Sequence, residues 1–167
     1  MSHGERDDGS WSRAFMASSG LGGATRAAGR RGSPEWHEAS GADIAPQRFL
    51  ELAHHRDVDV REALARREDC PMGVLASLAH DARVAVRVAA AANPRANAAV
   101  LEHLSQDRDP AVLKAVARNT ATPSATRRRL AGHRRLEVRR AAERALVDAA
   151  GSTADIVDAL PPELRER

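Results

Sequence analysis

The sequence predicts an all-α fold: a right-handed α-solenoid of about four helix-pair repeats, each 26 residues long. Three observations carry that prediction. The chain repeats itself without a gap, because VREALARREDCPMGVLASLAHDARVA (60–85), VRVAAAANPRANAAVLEHLSQDRDPA (86–111), VLKAVARNTATPSATRRRLAGHRRLE (112–137) and VRRAAERALVDAA (138–150) align column by column. The same columns stay apolar: Val60, Val86, Val112 and Val138; Ala63, Ala89, Ala115 and Ala141; and Leu78, Leu104 and Leu130, which Phe49 and Leu52 anticipate. Strong helix formers are also cut at matching places. The run Ala89 to Ala92 meets Asn93-Pro94, and helical pattern resumes at once. One long kinked helix would not keep its corners in register; a chain that doubles back does.

Taken in order, residues 1–42 are rich in Gly, Ser and Arg without a sustained apolar period, and are expected to form a disordered tail. Trp11, Phe15 and Trp36 fall in it, and WSRAFM (11–16) reads as a chance apolar patch. Residues 43–160 form the repeat domain and 161–167 a short carboxyl-terminal tail. The first helix of each period begins near Pro71, Asn97 or Pro123 and ends near His80, Gln106 or Gly132. Thr122-Pro123 is expected to supply an N-cap hydroxyl and a proline at the first helical position. The second helix follows a turn carrying Asp and Arg, most plainly at Asp109-Pro110, and stops near Asn93 or Asn119. It places Val86, Ala89 and Ala90, or Val112, Ala115 and Val116, on one face. A closing helix is expected near 153–160. A pair this short cannot bury its apolar face alone, so neighbouring pairs must close the core for one another.

Composition narrows the function. Hydrophobic residues make up 43% of the 167, alanine being the largest part, so the core is thin. Cys70 is the single cysteine, which leaves neither an intramolecular disulfide nor a four-cysteine metal site and suits a reducing, cytoplasmic setting. No apolar run approaches membrane-spanning length, no hydrophobic h-region opens the sequence, and Arg30-Arg31 is followed by Gly-Ser-Pro-Glu rather than by an apolar stretch. His54 and His80 recur at one period, as do His55, Asp81, Asp107 and His133. Stacked helices lie about 8–10 Å apart, however, against metal–nitrogen bonds of about 2 Å, so the rows read as solvated side chains. No catalytic motif, metal, cofactor or small-molecule substrate is expected. Cys70 stands beside Pro71 at a helix start, where a dipole could lower its pKa, yet it reads better as a buried thiol.

Charge supplies the candidate site. The net charge is +3, but residues 127–144 carry eight basic and two acidic groups. In the second helices the outward columns run Glu62, Val88, Lys114, Arg140 and Arg66, Ala92, Arg118, Arg144, so positive charge grows toward the carboxyl end. Lys114, Arg118, Arg140 and Arg144 are therefore the expected partner-binding residues. Arg127, Arg128, Arg134 and Arg135 form a second set suited to phosphates, while Asp148, Asp155 and Asp158 follow and are placed to fold back over the block.

The phrases LASLAHDARVAVRVAAAANP and LEHLSQDRDPAVLKAVARNTATP resemble the bacterial leucine-rich repeat variant proteins and, more broadly, HEAT-like repeats, over roughly residues 43–150. In the variant family one helix of each pair is often a short 3₁₀ helix; here both segments look long enough to be α-helical. The amino-terminal iron–sulfur cluster of a founding member does not carry over to a chain with one cysteine. HEAT-like repeats often pair a turn Asp with an Arg six residues later. The matching pairs here are Asp81 with Arg87, His55 with Arg61, Asp107 with Leu113, and His133 with Arg139, so the implied ladder is partial. By analogy of architecture the expected work is a non-catalytic protein–protein interaction scaffold whose partner has an acidic surface. The alternative is nucleic-acid backbone binding through the carboxyl-terminal arginines; base stacking lacks aromatic residues there. The alkylpurine DNA glycosylases among HEAT-like proteins need aromatic and carboxylate groups in the groove, and the second-helix columns supply neither an aromatic nor a paired acid.

Overall fold

The computed structural model describes residues 32–41 and 43–159. The expectations placed on residues 1–31, 42 and 160–167 lie outside the described residues. Nine helices and no strand are present among the described residues: α1 (Pro34–Ser40), α2 (Arg48–Ala53), α3 (Val58–Ala65), α4 (Met72–Leu78), α5 (Val84–Ala92), α6 (Ala98–Leu104), α7 (Pro110–Arg118), α8 (Ser124–Ala131) and α9 (Leu136–Ala159). Both members of each pair are α-helical rather than 3₁₀. The odd-numbered helices form a row in which each packs on the next. Helices α4, α6 and α8 each bridge their two odd neighbours, so contacts run mainly between helices close in sequence, in a repeat-like arrangement.

The periodic columns are the core. Val60, Val86, Val112 and Val138 are fully buried, and Leu52, Leu78, Leu104 and Leu130 nearly so. The alanine column is only partly inside: Ala89 is buried, whereas Ala63, Ala115 and Ala141 lie half-buried at its edge. The next position, occupied by Leu64, Ala90, Val116 and Ala142, takes the interior contact. Alternation of large and small residues there lets short helices approach closely.

The helix starts follow local chemistry. Asp57, Asn97 and Asp109 cap α3, α6 and α7 by accepting from the amides of Asp59, Val100 and Ala111 at 3.1, 2.9 and 2.8 Å. Thr122 does not act as the expected cap. Pro123 holds the N-cap position of α8, and the Thr122 hydroxyl instead donates to the Val116 carbonyl at 2.6 Å. The α7–α8 corner is thereby fastened to the end of α7.

The corners that follow α5 and α7 are each built on an asparagine. Asn93 ends α5; its Oδ1 accepts from Arg95 N at 2.8 Å, and its Nδ2 donates to the carbonyls of Ala65 and Arg67, both at 2.7 Å. Asn119 repeats this at the end of α7, accepting from Ala121 N and donating to Ala91 O and Asn93 O at 2.8 and 2.9 Å. A buried amide satisfied on both sides closes one turn and ties it to the turn before it.

The same column explains two departures from expectation. Residues 34–40 were expected in the irregular tail, yet they form α1, with Ser33 Oγ accepting from Trp36 N at 3.1 Å and proline at the first position. Trp36 is half-buried against the core and Ala39 is fully buried. Arg67, one period before Asn93, reaches Ala39 O at 3.4 Å and also Gly41 O, the contacts an asparagine makes in the later corners. Pro34 stands one period before Val60, so α1 is a second helix and the order begins earlier than the sequence suggested. At the other end Ala145 replaces the asparagine. With no corner there, the second helix and the expected closing helix are one 24-residue helix, α9.

The Asp–Arg ladder also takes another form. Arg87 does not pair with the Asp81 carboxylate six residues before it; its Nη1 donates to the Asp81 carbonyl at 2.8 Å. Its Nε and Nη2 grip the Asp107 carboxylate of the next period at 2.7 and 3.2 Å. Arg61 likewise donates to His55 O at 2.6 Å and grips Asp81 at 2.6 and 3.2 Å. The ladder thus runs forward by 20 residues and stops where Leu113 replaces the arginine.

Candidate interaction surface

The row of odd helices presents the residues the charge pattern singled out. Lys114 and Arg118 project from α7, Arg140 and Arg144 from α9, and all four line one open groove of about 590 Å³ together with Glu137 and Asp148. Lys114 and Arg118 also edge the adjoining groove of about 380 Å³ between α5 and α7, whose floor is Val88, Ala92, Ala111 and Ala115. The four cations share a groove because each pair is four residues apart on one helix and the pairs are one period apart in sequence.

Lys114 Nζ meets Glu137 Oε2 at 3.2 Å, with both side chains partly in solvent, so the pair screens the lysine only weakly. Arg118, Arg140 and Arg144 are exposed and make no salt bridge among the described residues. Asp148 lines the groove from α9 itself, one turn beyond Arg144 on the same continuous helix, and not from a segment folded back over the block. Asp155 and Asp158 lie beyond the residues whose side chains are described.

The second set is divided. Arg128, Arg134 and Arg135 are exposed but line none of these grooves. Arg127 is a correction: it is 8% exposed, standing in the column of Phe49, Leu75 and Leu101, where its apolar stem fills a core position. Its Nη2 donates to the carbonyls of Asn119 and Thr120 at 2.7 and 2.8 Å, and its buried Nε has no hydrogen-bond partner among the described residues. The carbonyl of Asn119 is the group that a further corner asparagine would have bound, and Arg127 satisfies it instead. Arg129 is similarly committed, to Glu102 at 2.7 Å and Ser105 at 2.5 Å.

The histidine and aspartate row has a backbone role. His55 and His133 accept through Nδ1 from the amides of Asp57 and Arg135, both at 3.1 Å. Asp81 and Asp107 accept from Arg83 and Asp109, at 2.7 and 2.8 Å. All four therefore close the same turn, which is why an imidazole nitrogen and a carboxylate interchange in this column. Among the described residues no three His, Cys, Asp or Glu side chains are placed to hold a metal ion. Cys70 is buried beside Pro71, as the buried-thiol reading expects, and loss of solvent pushes its thiol up to about 11, with the Asp69 charge adding to the effect.

Comparison of the chain with protein-family models, with curated proteins and with solved structures finds no match.

Proposed function

We propose that this chain is a HEAT-like α-solenoid of the leucine-rich repeat variant type, right-handed, with 26-residue helix pairs, and that it works as a non-catalytic scaffold. Its odd-helix face holds a partner protein by an acidic segment. The observation that supports this reading is the gathering of Lys114, Arg118, Arg140 and Arg144 in one open groove, with three of the four making no salt bridge among the described residues. A carboxylate entering it gains charge-assisted hydrogen bonds at those three arginines, which are in no ion pair among the described residues. The wall is apolar where Ala141 and Ala145 line it, which suits a segment mixing acidic and small apolar residues.

Binding of the nucleic-acid backbone is the competing reading, and the exposed Arg128, Arg134 and Arg135 favour it. Their separation from the groove weighs against one continuous phosphate track. Anisotropy titrations with a labelled glutamate–alanine peptide of about ten residues and with duplex DNA separate the two readings. The scaffold reading expects peptide binding that weakens at least about tenfold when Arg118, Arg140 and Arg144 are changed to Glu. Absence of peptide binding, together with DNA binding whose log–log salt slope is about −3.6 for four phosphate contacts, would replace it with the alternative.

A further inference from the structure

The opposite end of the same helix row carries the opposite charge. Between α1 and α3 lies a groove of about 600 Å³ lined by four carboxylates, those of Asp59, Glu62, Glu68 and Asp69, against two guanidinium groups. Both guanidinium groups are engaged: Arg66 meets Glu62 at 2.5 Å, and Arg67 grips Asp69 at 2.7 Å through two nitrogens while reaching back to the α1 corner. Asp59 and Glu68 make no salt bridge among the described residues. The half-buried indole of Trp36 lines the groove as an apolar surface on which a cationic side chain can rest. Along the face the aligned column Glu62, Val88, Lys114, Arg140 passes from acidic through apolar to basic.

We infer that this face takes an extended polypeptide segment with opposed charges at its ends, its basic end over α1 and α3 and its acidic end over α7 and α9. The inference rests on the scaffold reading and adds the chemistry and orientation of the segment. From α1 to α9 the row has four interhelix steps of about 8–10 Å, or about 32–40 Å in all. An extended chain of about ten to twelve residues spans that distance. Charges this far apart are screened from each other beyond a Debye length of about 8 Å, so each groove selects its own end of the segment. A uniformly acidic segment would gain at α7 and α9 and be repelled at α1 and α3. A uniformly basic one would meet the converse.

The test uses three labelled peptides of about twelve residues and anisotropy at physiological ionic strength. The first has an acidic block, an alanine–valine centre and an arginine block; the second replaces the arginine block with serine and alanine; the third scrambles the first. The first should bind at least about tenfold tighter than the others. That advantage over the second should vanish when Asp59, Glu62 and Glu68 are changed to Asn, Gln and Gln, while binding of the second peptide is unchanged. Circular dichroism of the triple variant checks that it is folded. Equal binding of the first and second peptides, or of the first and the scramble, overturns the inference and leaves the scaffold reading standing. No binding by either of the first two peptides overturns both. Sedimentation of the protein alone as a dimer that Arg140→Glu dissolves would make a second copy the occupant and also overturn it.

Discussion

Asn119 Nδ2 donates to the carbonyl oxygen of Asn93 at 2.9 Å, so the asparagine that ends one long helix is held by its counterpart one period later. The same amide also binds Ala91 O, and its own Oδ1 accepts from Ala121 N. Three hydrogen bonds of one buried side chain therefore fix both a corner and the spacing between successive corners. Asn119→Ala should lose about 2–4 kcal/mol of stability, because it leaves buried backbone groups unpaired. Urea unfolding followed by circular dichroism measures this, and a change below about 0.5 kcal/mol would mean that solvent satisfies those groups.

Arg127 and Arg128 are adjacent and opposite in role. Arg127→Ala removes a core stem, unpairs the Thr120 carbonyl and leaves the Asn119 carbonyl only the Thr122 amide, and should cost about 2–4 kcal/mol. Arg128→Ala, at an exposed position, should stay within about 0.5 kcal/mol of the parent. Thermal unfolding of the two variants side by side checks the contrast.

The Arg–Asp ladder predicts an acid limb. Burial alone would raise the carboxyl pKa values of Asp81 and Asp107. The guanidinium groups of Arg61 and Arg87, with the Arg83 and Asp109 amides, outweigh it and hold both below the usual 3.8. A carboxylate with a lowered folded-state pKa contributes stability that is complete above its unfolded value and lost as the pH falls through the folded value. The melting temperature should therefore be steady above about pH 5 and fall below about pH 4. The double variant Arg87→Met, Asp107→Leu should show a shallower fall, whereas Arg87→Met alone should be destabilised at neutral pH by about 2–3 kcal/mol for the unpaired Asp107.

Cys70 should behave as an inert core thiol. Burial and a pKa pushed up to about 11 leave little thiolate at neutral pH. Labelling with iodoacetamide should be slow in buffer and rapid in urea; fast labelling of the folded protein would place the thiol in solvent.

Leu104 belongs to the column shared by Leu52, Leu78 and Leu130, at the joint of two helix pairs. Leu104→Ala should cost about 2–5 kcal/mol in denaturant unfolding, a large fraction of a marginal domain's stability.

Much of this architecture was legible because it is periodic. The Val60, Val86, Val112 and Val138 column and the Asn93 and Asn119 corners depend only on short-range patterning, and so does the helix start at Asp109-Pro110. The groove of Lys114, Arg118, Arg140 and Arg144 followed from the same alignment. Departures arose where one residue type does another's work. Pro34 in the valine column and Arg67 in the asparagine column hid α1, although Ser33-Pro34-Glu35 carried a capping signal. Arg127 in the Phe49, Leu75 and Leu101 column looked like surface charge because composition counted it with its neighbours. Spacing along the chain cannot tell a side-chain partner six residues back from one 20 residues ahead, and the ladder runs to the latter. The acidic groove at α1 and α3 depended on recognising α1, and was missed with it.

Heteronuclear NMR of the labelled protein titrated with the acidic-block peptide tests the central claim most directly. The account predicts amide shifts concentrated at Lys114, Arg118, Arg140 and Arg144, with Arg128, Arg134 and Arg135 unmoved. Shifts centred on the latter three, or none on α7 and α9, would contradict it.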